Sequence, residues 1–279
     1  MGVRRAVELA CSEAERSGKK VYTLGPLIHN PQALEDLKRR GVEILNEETL
    51  PEYLSGTVVI IRAHGISPFT EAELKKRGAQ IVDATCPKVK TNQLKAESLT
   101  KAGYRLFIAG EETHAEIAGI IGYASGTEGT KLIIVNSADE AEKAAALHKS
   151  DSKTALIGQT TISADEYKAI VEKLIHHFPE IEIVQSICNA ASKRQESLRE
   201  LLEKVDAVII AGGKNSSNTK RLLTAAQASG KPCILAEKPT DIPPDFFKYE
   251  TIGLAAGAST PDTVIDEIEK LLEDSCNIA

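Results

Sequence analysis

Tryptophan is absent from this chain, and aromatic residues make up only 4% of its 279 residues. Stacking on bases or sugar rings is therefore not its expected mode of ligand recognition. Cations are outnumbered, 34 Lys and Arg against 40 Asp and Glu, for a net charge of -6. Such a chain has no bulk attraction for nucleic acid or acidic lipid. It contains no apolar run long enough to span a bilayer and no signal peptide, so a soluble, cytoplasmic protein is expected. Its five cysteines are odd in number and irregularly spaced, which excludes a simple disulfide framework. No Gly/Ser-rich or Pro-rich linker divides the chain, so a hinged pair of domains is not expected either.

What is present is a large hydrophobic fraction, 42%, arranged in short β-branched runs that alternate with amphipathic helical stretches. This is the pattern of parallel α/β sheets. The clearest strands are VYTLG (21–25), TVVIIRA (57–63), QIVDA (80–84), YRLFIAG (104–110), KLIIV (131–135), TALIG (154–158), EIVQSI (182–187), DAVIIAG (206–212), PCILA (232–236) and ETIGLAA (250–256). Ser67, Ser137 and Ser163 predict capped helix starts, as do Asn30-Pro31 and Thr260-Pro261. Gly41, Gly78 and Gly103 predict helix stops. Runs of similar character recur in each third of the chain. We therefore expect three similar α/β units, residues 1–85, 86–186 and 187–271, packed round one centre, with a C-terminal tail over 272–279.

Reactive residues collect just after these strands, in LIHNP (27–31), RAHGIS (62–67), ATCP (84–87), GEETHAE (110–116), GQTTIS (158–163), SICNA (186–190), GGKNSSN (212–218) and AAGASTPD (255–262). Parallel sheets present ligands at the carboxyl ends of their strands, so eight such loops predict one shared site. Cys86 and Cys188 end apolar runs rather than lying within them, and thiols placed so suit a soft metal or an iron–sulfur cluster. Cys11 falls within the first amphipathic helix and reads as core; Cys233 begins a strand, away from the crevice. His29, His64 and His114 all lie in these loops, whereas His148, His176 and His177 lie near helix ends, where a cation is favoured. Glu116 is either a first-turn carboxylate serving the helix dipole or a proton donor in a dry site. Ser216, Ser217, Asn218 and Ser259 either cap the helices they precede or bind phosphate there. GKNSS lacks the spacing of a Walker A loop. Thr160 and Thr161 by themselves pass as a turn.

Taken together, HN at 29–30, AHG at 63–65, DATCP at 83–87, THAE at 113–116, GQTT at 158–161, IC at 187–188, RQ at 194–195, KNSSN at 214–218 and AGAS at 256–259 closely resemble the 4-hydroxy-3-methylbut-2-enyl diphosphate reductase family, also called LytB. The resemblance covers essentially the whole chain. It implies a trefoil of three α/β units around a [4Fe-4S] cluster held by three cysteines, its fourth iron open to the substrate's allylic hydroxyl. Electrons would come from a ferredoxin- or flavodoxin-type donor, and isopentenyl and dimethylallyl diphosphate would be the products of this last step of the methylerythritol phosphate route to isoprenoids. By motif, the resemblance makes Cys86 and Cys188 cluster ligands and Glu116 the proton-relay acid, with Thr160 orienting the hydroxyl or a water. His29, His64, Ser216, Ser217, Asn218 and Ser259 would hold the diphosphate, with His114 beside it and in the proton path.

Two departures accompany the resemblance. The family opens with a strand and a Gly-Phe-Cys-x-Gly-Val turn, whereas this chain opens Met1-Gly2-Val3-Arg4-Arg5-Ala6, matching only from the residue after that cysteine. The expectation is an N-terminally truncated chain without the first strand and the third cluster ligand, and inactive or nearly so. Cys11 lies about 15 Å further along a helix, too far to substitute. Cys276 would reach only if the tail folded back. The second departure is Ala191, where the family commonly has threonine; Ser192 beside it is a differently directed substitute. Two rival readings stand beside the reductase: a non-catalytic binder of isoprenoid diphosphates, and a zinc hydrolase using the same cysteines and histidines.

Overall fold

In the computed structural model, the described residues are 2–27, 31–127, 129–148 and 152–276. They form three parallel sheets. The first has strand order β2-β1-β3-β4, from β1 (Lys20–Leu24), β2 (Val42–Leu45), β3 (Thr57–Ile61) and β4 (Gln80–Asp83). The second has order β6-β5-β7-β8, from β5 (Arg105–Ala109), β6 (Leu132–Val135), β7 (Thr154–Gly158) and β8 (Glu182–Ile183). The third has order β10-β9-β11, from β9 (Ala207–Ala211), β10 (Cys233–Ala236) and β11 (Ile252–Ala256). Every pairing is parallel.

Alternation along the inner strands explains why each sheet needs helices on both faces. In β3, Val58 and Ile60 enter one core while Val59 and Ile61 enter another. In β5, Leu106 and Ile108 face one way and Phe107 and Ala109 the other. In β9, Ile209 and Ala211 are separated from Val208 and Ile210 in the same manner. These residues are all buried, and each larger side chain contributes about 1.5–3 kcal/mol by leaving water.

The helices that matter for the site are α1 (Gly2–Arg16), α4 (Pro87–Lys101), α5 (Ala115–Ala124), α7 (Ala164–His177), α8 (Asn189–Leu202), α9 (Ser217–Ala228) and α10 (Asp262–Cys276). Between α1 and α4 run α2 (Pro31–Arg39) and α3 (Pro68–Lys76), and α6 (Ala138–Ala146) follows β6. Ser67, Ser137 and Ser163 cap α3, α6 and α7 as expected, each accepting a backbone N–H three residues on. Gly41, Gly78 and Gly103 take positive φ, between 80° and 87°, where the chain leaves a helix.

Several details differ from expectation. β2 was not anticipated: its buried residues, Val42 and Leu45, are three apart, which is not a strand period. β8 is only two residues long; one more backbone bond, Val184 N–H to the Leu156 carbonyl at 2.9 Å, follows it before side chains take over the ladder. Ser186 Oγ accepts the Gly158 N–H at 2.7 Å, and Tyr167 donates its hydroxyl to the Val184 carbonyl at 2.8 Å. Thr260 does not cap α10; its hydroxyl donates to the Ala211 carbonyl at 2.9 Å and the helix starts at Asp262. That helix runs on to Cys276, through residues expected to be a tail. Asn30, expected as a cap, lies outside the described residues. Among the described residues no helix is long and apolar enough to cross a membrane.

Candidate active site

The loops following β1, β3, β4, β5, β7, β8, β9 and β11 meet around one cavity of about 210 Å³. Its wall includes Cys86, Cys188, His64, His114, Glu116 and Thr160, together with Ser216, Ser217, Asn218 and Ser259. The sequence-predicted residues are thus brought together, His29 excepted, which lies outside the described residues. Cys11 and Cys233 are not on this wall.

Four helices point their N-terminal ends at the cavity. Cys86 is the N-cap of α4, His114 of α5, Cys188 of α8 and Ser216 of α9. Helix N-termini offer free N–H groups and a partial positive charge, so their convergence favours an anionic ligand. Neither thiol spends itself on capping its own helix. Each cysteine is instead placed by its backbone: Cys86 N donates to Ala63 O at 2.9 Å, and Cys188 N to Thr160 O at 2.8 Å. Asn92, buried in α4, donates to the Ser186 carbonyl at 3.0 Å and so ties the helix begun by Cys86 to the segment that ends in Cys188. α1 begins at the same wall, where a Cβ added to Gly2 would lie 2.9 Å from Cys86 Sγ.

Glu116 is only 1% exposed, and both of its oxygens are engaged. Oε1 accepts the backbone N–H of Thr160 and Oε2 accepts its hydroxyl, each at 2.8 Å. Burial pushes the carboxyl up to about 7; the two Thr160 hydrogen bonds and the positive charge of Arg221 hold it from going further. A carboxyl so tuned exchanges a proton near neutral pH. Its own backbone N–H donates to Nδ1 of His114 at 3.1 Å, which fixes the imidazole at the start of α5. The rings of His114 and His64 meet edge-on with centroids 5.3 Å apart.

At the α9 end, Ser216, Ser217 and Asn218 are all more than nine-tenths buried. Ser216 Oγ accepts the Thr219 N–H at 3.4 Å, so this residue does cap its helix. Ser217 accepts from Gln159 Nε2 at 3.1 Å and donates to Glu111 at 3.2 Å. Both amide atoms of Asn218 are buried without a protein partner. A buried, unpaired amide costs about 1–3 kcal/mol, so its retention beside a helix N-terminus points to a ligand with oxygens to spare. Ala191 lines the cavity, but Ser192 does not substitute for a hydroxyl there: its Oγ donates to the Cys188 carbonyl at 3.4 Å.

Gln159 was missed as a positioning residue, although GQTT contained it; fully buried, it joins Thr161 and Ser217 across the seam between second and third units. Arg194 and Thr161 also line the cavity.

Comparison with known proteins agrees with this geometry. A profile of the LytB protein family matches residues 1–273. The chain belongs to the LytB family. It is 42% identical to the 4-hydroxy-3-methylbut-2-enyl diphosphate reductase of Treponema denticola, over 97% of this chain and 94% of that one. It is 38% identical to the enzyme of the same name from Aquifex aeolicus, over 99% of this chain and 93% of the other. Among solved structures, it resembles an (E)-4-hydroxy-3-methyl-but-2-enyl diphosphate reductase described as the terminal enzyme of the non-mevalonate pathway, at 37% identity and a TM-score of 0.72, covering 98% of this chain and 95% of that chain. The corresponding reductase of Plasmodium falciparum aligns with a TM-score of 0.88 at 29% identity, covering 98% of this LytB chain and 83% of that one.

Proposed function

We propose that this LytB chain carries out the reaction for which its relatives are named, the reductive removal of the allylic hydroxyl from 4-hydroxy-3-methylbut-2-enyl diphosphate. Two electrons and two protons enter, water leaves, and isopentenyl or dimethylallyl diphosphate results. The observation that carries the reading is the convergence of four helix N-termini, capped by Cys86, His114, Cys188 and Ser216, on a cavity beside a carboxyl poised at about 7.

Each part of the substrate has a counterpart. The diphosphate is anionic and lies at the α9 end, taking hydrogen bonds from Ser216, Asn218 and Ser259, with Ser217 and His64 adjoining. His29 is proposed with them on motif alone. Glu116 is the proton source, and Thr160 passes or orients that proton at the hydroxyl end. His114, fixed by the Glu116 N–H, stands between the two ends. A carboxyl with pKa near 7 is half protonated at neutral pH, which suits an acid that must be reloaded each turnover.

The family's prosthetic group is a [4Fe-4S] cluster. The free thiols of Cys86 and Cys188, on a wall more apolar than polar, fit iron as soft ligands. Among the described residues, Cys86 and Cys188 are the cysteines that line the cavity. The side chain of Cys276 lies outside the described residues. When bound, such a cluster supplies electrons, delivered by a ferredoxin- or flavodoxin-type donor. The rival reading is a non-catalytic binder of isoprenoid diphosphates, in which these two thiols hold no iron.

Anaerobic reconstitution with ferrous iron and sulfide, followed by iron analysis and product detection with a chemical reductant, tests the choice. The reductase reading expects iron bound through Cys86 and Cys188 and product formed; iron bound with no product would bear out the inactivity expected from the sequence. Zinc bound in place of iron would support a hydrolase, and diphosphate binding with no iron would support the binder.

A further inference from the structure

Arg221 lies on α9 one turn beyond Asn218, and its side chain is only 13% exposed. It leaves its own unit and reaches into the second. One guanidinium nitrogen is 3.7 Å from Glu111 Oε1, and another bonds Glu166 Oε2. Its Nε is buried without a partner.

Both carboxylates are themselves held. Glu166 is the third residue of α7, and the oxygen that receives Arg221 also accepts the Ser163 N–H at 3.1 Å in that helix's capping box. Glu111 accepts the hydroxyl of Ser217 through the oxygen facing Arg221, and its N–H donates to Gln159 Oε1 at 3.2 Å. Gln159 closes the circuit by donating to Ser217. A forked cation on α9 is thus set between two anchored anions of the second unit. The guanidinium is the buried member, 13% exposed against 39% for Glu111 and 54% for Glu166, so removing a carboxylate leaves a poorly solvated cation short of a partner, and removing the cation unties α9 from both carboxylates.

We propose that Arg221 is a positioning residue: it fixes the N-terminal end of α9, and with it the Ser216–Asn218 site, at working distance from the unit that carries Glu116 and Thr160. The inference rests on reading that helix end as the diphosphate site. A neighbouring pair supplies the contrast. Arg199 of α8 also crosses to the second unit, bonding Asp165, but its cation is 59% exposed where that of Arg221 is 13%. An ion pair that open contributes little and holds nothing in register.

Calorimetric titration of the full chain with isopentenyl diphosphate separates the possibilities. Arg221→Met is expected to weaken binding by about tenfold or more while keeping a single cooperative melt, with Arg221→Lys restoring part of the loss and Arg199→Met within about twofold of the parent. Glu166→Gln should reproduce the Arg221→Met loss, and the double variant should lose little more than either alone. A folded Arg221→Met that binds as the parent does would overturn the positioning role and leave the diphosphate reading intact. If Arg221→Met does not fold, an unchanged affinity in Glu166→Gln overturns the role in its place. A parent chain that fails to bind, matched by Ser216→Ala, would overturn both.

Discussion

Thr160 grips the Glu116 carboxyl with two hydrogen bonds of equal length, one from its backbone and one from its hydroxyl, both 2.8 Å. The grip explains how a carboxyl 1% exposed can be kept ready to ionise: burial favours its neutral form, and the two donors favour the charged one.

A stability signature follows. The folded carboxyl titrates at about 7 against 4.5 for the free group, so the native state holds the proton more tightly. That contribution is fully present below pH 4.5 and is lost as pH rises through about 7, a loss of about 3 kcal/mol. Glu116→Gln should remove this slope, making the variant more stable than the parent at pH 8 but not at pH 4.5. Denaturant melts across that range check it, and identical slopes would contradict the assignment. Turnover should fall by about 10²–10⁴ with the acid gone.

Asn218 gives a prediction of opposite sign for stability and binding. Its buried amide has no protein partner, so Asn218→Ala removes a desolvated group whose cost is about 1–3 kcal/mol. The melting temperature should hold or rise, whereas affinity for isopentenyl diphosphate should drop about tenfold or more. Parallel thermal and calorimetric measurements decide it. A clear loss of stability with affinity preserved would make Asn218 a structural residue.

The close approach of the His64 loop to α5 depends on glycine. A Cβ on Gly122 would stand 2.3 Å from Ser67 Cβ and 3.1 Å from its Cα, so relief requires moving backbone. Alanine normally improves a helix interior by about 1 kcal/mol over glycine. Here overpacking should win, and Gly122→Ala should destabilise by about 1–3 kcal/mol. A variant as stable as the parent would show that the two segments are not so tightly seated.

For the thiols, Cys86→Ser and Cys188→Ser should each lower the iron retained after anaerobic reconstitution, while Cys11→Ser and Cys233→Ser should not. The last two are off the cavity wall. Iron and sulfide analysis measures this directly, and equal retention in all four would remove the cysteines from the metal site.

Much of the fold was legible because parallel strands buried on both faces are unbroken apolar runs, as in Val58–Ile61 and Ala207–Ala211. The clustering of the candidate site was legible for a related reason: the carboxyl ends of the strands converge on one cavity, and Cys86, Cys188 and His114 each stand where a run stops. β2 was not, since its two buried residues are three apart and Glu43 and Ile44 between them are exposed. Thr260 misled because a Thr-Pro pair looks like a helix start, yet the hydroxyl was claimed by Ala211 of the neighbouring strand. Arg221 and Asn92 left no local trace. Their roles arise from contacts across 55 and 94 residues of sequence, in otherwise ordinary helical stretches.

The central claim is that the cavity between the three units binds an isoprenoid diphosphate with its anionic end on α9 and its carbon end toward Glu116. A crystal structure of the chain with isopentenyl diphosphate tests this most directly. The account predicts phosphate oxygens within hydrogen-bond distance of Ser216, the Asn218 amide and Ser259, with the hydrocarbon between Thr160 and the two cysteines. Diphosphate bound elsewhere, with the Asn218 amide still unpaired, would contradict it.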